Sequence, residues 1–147
     1  MIMPDFKDFP RDGRIIGFDW GAARTGVAVS DESREFVFTR KPIVGGDMAR
    51  QMADLAATEH VAGIVIGLPL RTDGSESETT KQVRLVANQV AEYTDLPICF
   101  VDETLSSSAA AEETGLHKQK DVKAKLDSEA ARIILENAIA IIKRLYK

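Results

Sequence analysis

Residues 17–31, GFDWGAARTGVAVSD, place one carboxylate, Asp19, at the end of an apolar strand. Side chains alternate between two faces along a strand, so Asp19 and Trp20 point in opposite directions. Residues 21–24, Gly-Ala-Ala-Arg, can form a tight turn, and residues 25–30 alternate again as a second strand. Since residues 36–39 indicate a third strand, this part of the chain predicts a three-stranded antiparallel meander.

Two helix-and-strand units follow the meander. Asp47 can cap the first helix. Residues 61–67, VAGIVIG, form a nearly continuous apolar run, which is typical of a parallel strand covered on both faces. Ser75 and Glu78 have the spacing of a capping box for the second helix. Residues 98–101 then predict a second parallel strand.

The remainder of the chain is predicted to be helical. Residues 106–113 favour a helix that ends at Gly115, and a long helix runs from about Asp127 to Tyr146. The element order βββ-α-β-α-β-α-α predicts an α/β fold with a mixed five-stranded sheet, three antiparallel strands followed by two parallel ones, flanked by helices.

Length and composition indicate one globular domain. The 147 residues are 44% hydrophobic and 29% charged, which is ordinary for such a domain. Residues 1–13 are expected to be a flexible lead-in and 14–147 the single domain.

No apolar run is long enough for a membrane span, and the acidic amino terminus lacks the pattern of a signal peptide, so we expect a cytoplasmic protein. The net charge of −4 argues mildly against non-specific nucleic-acid binding by the whole surface.

Three acidic positions stand out as candidate functional residues. Asp19 ends the first strand, the Asp102-Glu103 pair ends the last one, and Asp127 begins the last helix on its apolar side. Each also has an ordinary interpretation: Asp19 as a turn residue, the pair as solvated acids before a helix, and Asp127 as an N-cap. Alternation turns Asp102 and Glu103 to opposite faces, so only one of them is expected to meet Asp19.

Carboxylates that converge from two strand ends and a helix suit Mg²⁺ or Mn²⁺, because these hard cations prefer oxygen ligands. A pair of such ions can activate water and stabilise the leaving oxygen in phosphodiester cleavage. Basic residues lie nearby in the sequence and could contact phosphates. The candidates are Arg24, Arg71, Lys118 and Lys120.

Other common sites are missing from the sequence. It contains neither GxxxxGK[ST] nor GxGxxG, and no Cys/His pattern for zinc. The stretch from Asp19 to Gly26 also resembles the first phosphate motif of the actin, sugar kinase and heat-shock ATPase superfamily. Those proteins enclose a nucleotide between two domains, whereas this chain supplies one.

Four blocks together resemble the YqgF family, also called RuvX, of Holliday-junction-resolvase-like proteins linked to pre-16S rRNA cleavage. The blocks are GFDWGAARTGVAVSD, VIGLPLRTDGSE, FVDETLSS and LDSEAARIILENAI. The resemblance covers nearly the whole chain from Arg14 onward. It implies a ribonuclease-H-like fold and a metal-dependent nuclease acting on structured nucleic acid, and it assigns the metal-binding acids to Asp19, Glu103 and Asp127, with Asp102 as the alternative to Glu103.

One position departs from the family pattern. Members usually have Asp-Glu-Arg where this chain has Asp102-Glu103-Thr104, and threonine cannot replace the forked phosphate binder that arginine provides. The leading hypothesis is a Mg²⁺- or Mn²⁺-dependent endonuclease acting on precursor 16S rRNA in ribosome biogenesis. The alternatives are a Holliday junction resolvase acting on branched DNA and a non-catalytic nucleic-acid- or ribosome-binding module. Either a monomer or a homodimer is compatible with the sequence.

Overall fold

The computed structural model describes residues 1–104 and 120–146, with side chains described for residues 1–103 and 128–146. The described elements follow one another in the predicted order. They are β1 (Ile15–Asp19), β2 (Arg24–Ser30), β3 (Val37–Val44), α1 (Met48–Thr58), β4 (Gly63–Leu70), α2 (Glu78–Tyr93), β5 (Ile98–Thr104) and α3 (Lys120–Leu145). The predicted helix at 106–113 and Gly115 lie outside the described residues.

The strands form one five-stranded sheet in the order β3-β2-β1-β4-β5. β1 pairs antiparallel with β2, and β2 with β3, whereas β1–β4 and β4–β5 are parallel. The predicted mixed sheet, with three antiparallel strands followed by two parallel ones, is therefore confirmed. Because β1 and β4 are central and parallel, their carboxyl ends meet at one edge of the sheet.

Each face of the sheet carries its own apolar cluster. On one face, Phe18, Val27 and Ile66 pack beneath α1 and α2. On the other, Val65 and Val101 pack beneath α3. Period-two alternation of the strand residues produces this division, because adjacent side chains leave opposite faces. Asp19 belongs by alternation to the α3 face.

Of the two predicted helix caps, the structure confirms one and contradicts the other. Asp47 is the N-cap of α1 and accepts a hydrogen bond from the Arg50 N–H, as predicted. The capping box of α2 is instead formed by Ser77 and Thr80, so the prediction of Ser75 with Glu78 is wrong. Ser75 is engaged in the preceding turn, where its N–H and hydroxyl both donate to Asp73 Oδ1.

The last helix is longer than predicted. α3 spans 26 residues and begins at Lys120, so Asp127 lies within the helix and is not its N-cap. The buried Ser128 hydroxyl donates to the Arg40 carbonyl at 2.6 Å, which ties α3 to β3. Within the described parts of the chain, no helix is long and apolar enough to cross a membrane.

The first thirteen residues, expected to be a flexible lead-in, pack against the sheet. The Ile98 N–H donates to the Met1 carbonyl at 2.8 Å and the Met3 N–H donates to the Ile98 carbonyl at 2.7 Å, so this segment adds to the edge of β5. Phe9 is only 1% exposed and joins the cluster under α3. Burial of these apolar side chains stabilises the segment. The sequence did not reveal this packing, because the neighbours of these side chains are mostly polar.

Replacing Phe9 with alanine tests this packing. We expect Phe9→Ala to lower the free energy of unfolding by about 3 kcal/mol, since it empties a buried aromatic site. Phe36→Ala is the matched control, because Phe36 is 61% exposed and should cost little. Urea denaturation measures both variants, and equal losses would mean that the amino-terminal segment does not contribute to the core.

Candidate active site

Two of the predicted acids meet at the edge where the parallel strands end. Asp19 is the last residue of β1, and Glu103 lies next to the last residue of β5. β4 runs between these strands, so their backbones are about 10 Å apart at ~4.8 Å per strand spacing. The Glu103 side chain is long enough to reach inward across β4 towards Asp19.

Gly67 of β4 provides the space for that reach. A Cβ atom at this position would lie 2.8 Å from Glu103 Oε2 and 2.4 Å from Ile134 Cδ1. Any side chain at Gly67 would therefore collide with both the carboxylate and α3. An isolated glycine within an apolar strand signals such a close approach, and this signal in VAGIVIG could have identified the position from sequence.

Glu103 is electrostatically strained in this position. Burial, and less strongly the charge of Asp19, together raise its pKa from the ordinary value of 4.5 to about 7. Burial penalises the ionised form, and a second carboxylate nearby penalises it further. Asp19 and Glu103 thus form a pair of acids in which ionisation of Glu103 is disfavoured, and a cation bound beside Glu103 would favour its ionised form.

Asp102 points to the other face of the sheet. It pairs in register with Leu68, which belongs to the cluster under α1 and α2, and its side chain is exposed. Its charge acts on Arg84, whose pKa is raised mainly by a hydrogen bond to Glu76 and, less strongly, by Asp102. The two neighbouring acids are therefore separated by strand alternation, as expected, and Glu103 is the one that faces Asp19.

The third predicted acid, Asp127, lies in α3, but its side chain is not among those described. Among the described residues, no group of three His, Cys, Asp or Glu side chains is arranged to hold a metal ion. What the structure brings together is the pair Asp19 and Glu103. Two carboxylates with mutual repulsion and space at Gly67 fit a hard divalent cation such as Mg²⁺ or Mn²⁺.

Two of the predicted basic residues, Arg24 and Arg71, lie near this edge. Arg24 begins β2 two residues before Gly26, the register partner of Asp19, so it shares a face with that acid. Arg71 is exposed in the loop after β4, where its guanidinium donates to Ser75 Oγ and the Glu76 carbonyl. Lys120 is the first residue of α3, and Lys118 lies outside the described residues.

The raised pKa of Glu103 gives the metal-free protein a defined pH dependence. Between pH 4.5 and about 7 the folded state holds this proton and the unfolded state releases it, so stability falls as pH rises through that window. We expect Glu103→Gln to remove this loss and to stabilise the apo-protein above neutral pH by on the order of 2 kcal/mol.

Chemical denaturation across this pH range, with a chelator present, measures the effect. Asp102→Asn is the matched control, since it removes the adjacent but exposed carboxylate. If the stability of Glu103→Gln runs parallel to that of the wild type at every pH, Glu103 is not the group responsible.

Known proteins with related sequences cover almost the whole chain. A relative from Maridesulfovibrio salexigens, named "Putative pre-16S rRNA nuclease", is 41% identical over 133 residues, which is 86% of this chain and 98% of the relative. A relative from Rhodobacter capsulatus with the same name is 36% identical over 149 residues, 95% of this chain and 93% of the relative.

Solved structures agree on the fold. Thermus thermophilus RuvC bound to a Holliday junction substrate superimposes with a TM-score of 0.53 at 10% identity, covering 90% of this chain and 97% of RuvC. RuvC alone gives a TM-score of 0.52 at 12% identity over the same shares. This likeness supports the predicted ribonuclease-H-like fold.

The sequence profile described as "RuvX: Holliday junction resolvase" matches residues 13–140. That range includes both acids of the paired site and all five strands. The chain therefore belongs to the RuvX family of Holliday-junction-resolvase-like nucleases.

Proposed function

We propose that this protein is a divalent-metal-dependent endonuclease that acts on precursor 16S rRNA in the cytoplasm during ribosome biogenesis. The observation that carries the proposal is the pairing of Asp19 with the partly buried Glu103, whose pKa of about 7 reflects burial and the charge of Asp19. The names of the relatives supply the RNA substrate class.

The metal ligands proposed are Asp19, Glu103 and Asp127. Position 127 lies one helical turn before Ala131, whose carbonyl oxygen would be 3.3 Å from a Cβ at Gly17. Gly17 and Asp19 share a strand face, so α3 passes over the same side of the sheet as Asp19. This placement supports Asp127 as the third acid.

The chain's own residues then have separate tasks in phosphodiester hydrolysis. When bound, Mg²⁺ or Mn²⁺ supplies a nucleophilic water at neutral pH and offsets charge on the leaving oxygen. Asp19 and Glu103 would hold the ion at the edge of the sheet. Arg24, Arg71, Lys118 and Lys120 are proposed to bind the RNA backbone, because arginine and lysine neutralise phosphates.

Glu103 also links cation binding to pH. Its carboxyl group must be ionised to serve as a ligand, and near neutral pH a fraction of the molecules still carries the proton. Cation binding should therefore release protons, and affinity should rise with pH up to about 7.

Amide substitutions test the proposed site. We expect Asp19→Asn and Glu103→Gln each to reduce cleavage of a model precursor 16S rRNA to background and to weaken Mn²⁺ binding in calorimetry. Each change removes a negative oxygen ligand while keeping the side-chain shape. Asp102→Asn, on the opposite face, should retain both properties.

Circular dichroism and thermal melting of each variant control for unfolding. Cleavage that persists in Asp19→Asn, or wild-type cleavage that needs no divalent metal, would contradict the proposed chemistry. Tight RNA binding by the wild type without any cleavage would instead identify a non-catalytic binding module.

The description of the matching family favours one alternative, a resolvase acting on branched DNA. The same acids would serve, because the 2′-hydroxyl that distinguishes RNA from DNA is not part of the metal site. Side-by-side cleavage of a four-way DNA junction and a precursor 16S rRNA separates the two. A resolvase also needs a symmetric dimer to cut two strands, whereas end trimming does not, so light scattering adds an independent measurement.

A further inference from the structure

The edge strand β3 and the residue just before it carry two exposed aromatic side chains. Phe38 pairs in register with Val29, and Arg40 with Val27, both of which are buried under α1 and α2. Phe36 precedes the first residue of β3, and its carbonyl accepts the Asp31 N–H at 3.1 Å, so the pairing with β2 continues by one residue and alternation places Phe36 on the face of Phe38. Phe36 is 61% exposed and Phe38 47% exposed, so the helices leave this part of the sheet uncovered. We call Phe36, Phe38, Arg40 and Lys41 the β3 strip.

A groove continues the β3 strip along the α1 face of the sheet. It has a volume of about 400 Å³ and lies between β3 and α1, with Lys41, Ile43 and Leu55 among its lining residues. At the end of the groove formed by Val44, this residue pairs with Arg24, and the Gly45 N–H donates to the Ala23 carbonyl. The groove thus ends beside the turn that follows Asp19, on the face of the sheet opposite to the Asp19 side chain.

The charge along the β3 strip is compatible with a polyanion. Glu59 accepts hydrogen bonds from both Arg14 and Arg40 at 2.9 Å, so this group of three carries a net positive charge. The Arg40 side chain remains 38% exposed, and Lys41 is exposed. The opposing acids include Asp31, whose Oδ1 accepts the Phe36 N–H at 3.1 Å, and Glu35 next to Phe36. Asp54 lines the groove and lies 4.0 Å from Arg50.

Features of β3 disfavour a second protein strand as the occupant. Pro42 has no N–H to donate to a neighbouring strand, and the β2–β3 register shifts between Thr25 and Val27. Charged residues on an edge strand, here Arg40 and Lys41, also oppose edge-to-edge pairing. An occupant that contacts side chains more than backbone is favoured.

We propose that the β3 strip binds a single-stranded segment of the RNA substrate. Two bases stack on Phe36 and Phe38, which lie about 7 Å apart along the strand, while Arg40 and Lys41 contact phosphates. Aromatic side chains interleaved with basic ones are the usual means of holding single strands, whereas a duplex keeps its base faces hidden. The inference rests on the proposed function for the identity of the substrate as RNA.

Binding measured without cleavage tests the β3 strip separately from the catalytic proposal. The probe is a short unstructured single-stranded RNA, compared with its duplex, in fluorescence anisotropy with a chelator present. We expect the double variant Phe36→Ser/Phe38→Ser to weaken single-strand binding roughly tenfold or more, from two lost stacking contacts. Duplex binding should change little.

Matched variants control for general effects. Leu85→Ser alters a similarly exposed apolar residue, 59% exposed, on α2 and should leave binding unchanged. Phe36→Tyr/Phe38→Tyr keeps both rings and should retain binding. Lys41→Gln should reduce the salt dependence of log K by about one, and Lys81→Gln on α2 should not.

Two results would overturn the proposal: unchanged single-strand affinity in the serine variant, or a wild-type dimer that this variant converts to a monomer. The second would make the β3 strip a self-association surface. If Asp19→Asn loses cleavage but still binds single-stranded RNA through the β3 strip, both proposals are supported. If the wild-type protein binds RNA through the β3 strip but never cleaves it, only the proposed nuclease activity is refuted.

Discussion

The close approach of α3 to the sheet backbone is the constraint on which the candidate site depends. A Cβ at Gly17 would lie 3.0 Å from the Leu135 Cβ, and one at Gly67 would lie 2.4 Å from Ile134 Cδ1. Interiors are packed too densely to absorb such overlaps without displacement. Two glycines on neighbouring central strands therefore set the height of the helix above the sheet, and with it the space left for acids at the sheet edge.

That packing has an electrostatic consequence. Glu103 reaches into the space over Gly67, where burial and then the charge of Asp19 raise its pKa to about 7. The site is destabilising for the metal-free fold, since the unfolded chain can ionise this group without penalty. Apolar burial under α3 offsets the cost, and a bound cation would remove much of it. Functional sites commonly retain strain of this kind because the surrounding fold is stable enough to tolerate it.

Local patterns in the sequence predicted the elements whose signals are local. The order of strands and helices, the Asp47 cap and the mixed sheet follow from alternation, apolar runs and capping residues. The α2 cap was misplaced because Ser75 and Ser77 are chemically alike, and only the turn around Asp73 distinguishes them. The packing of residues 1–13 was missed because Phe6 and Phe9 stand isolated among polar neighbours, without periodicity.

The opposite directions of Asp102 and Glu103, the acids at two strand ends and the resemblance to RuvX nucleases all follow from the amino-acid sequence. The shared face of Glu103 and Asp19, and the exposure of Phe36 and Phe38 at the sheet edge, become apparent only in the folded protein. Alternation fixes side-chain directions relative to one another within a strand. Strand order, register and the position of α3 decide what each face contacts. One face can pack against a helix, lie beside an acid of another strand or remain exposed to solvent, and alternation does not distinguish these outcomes.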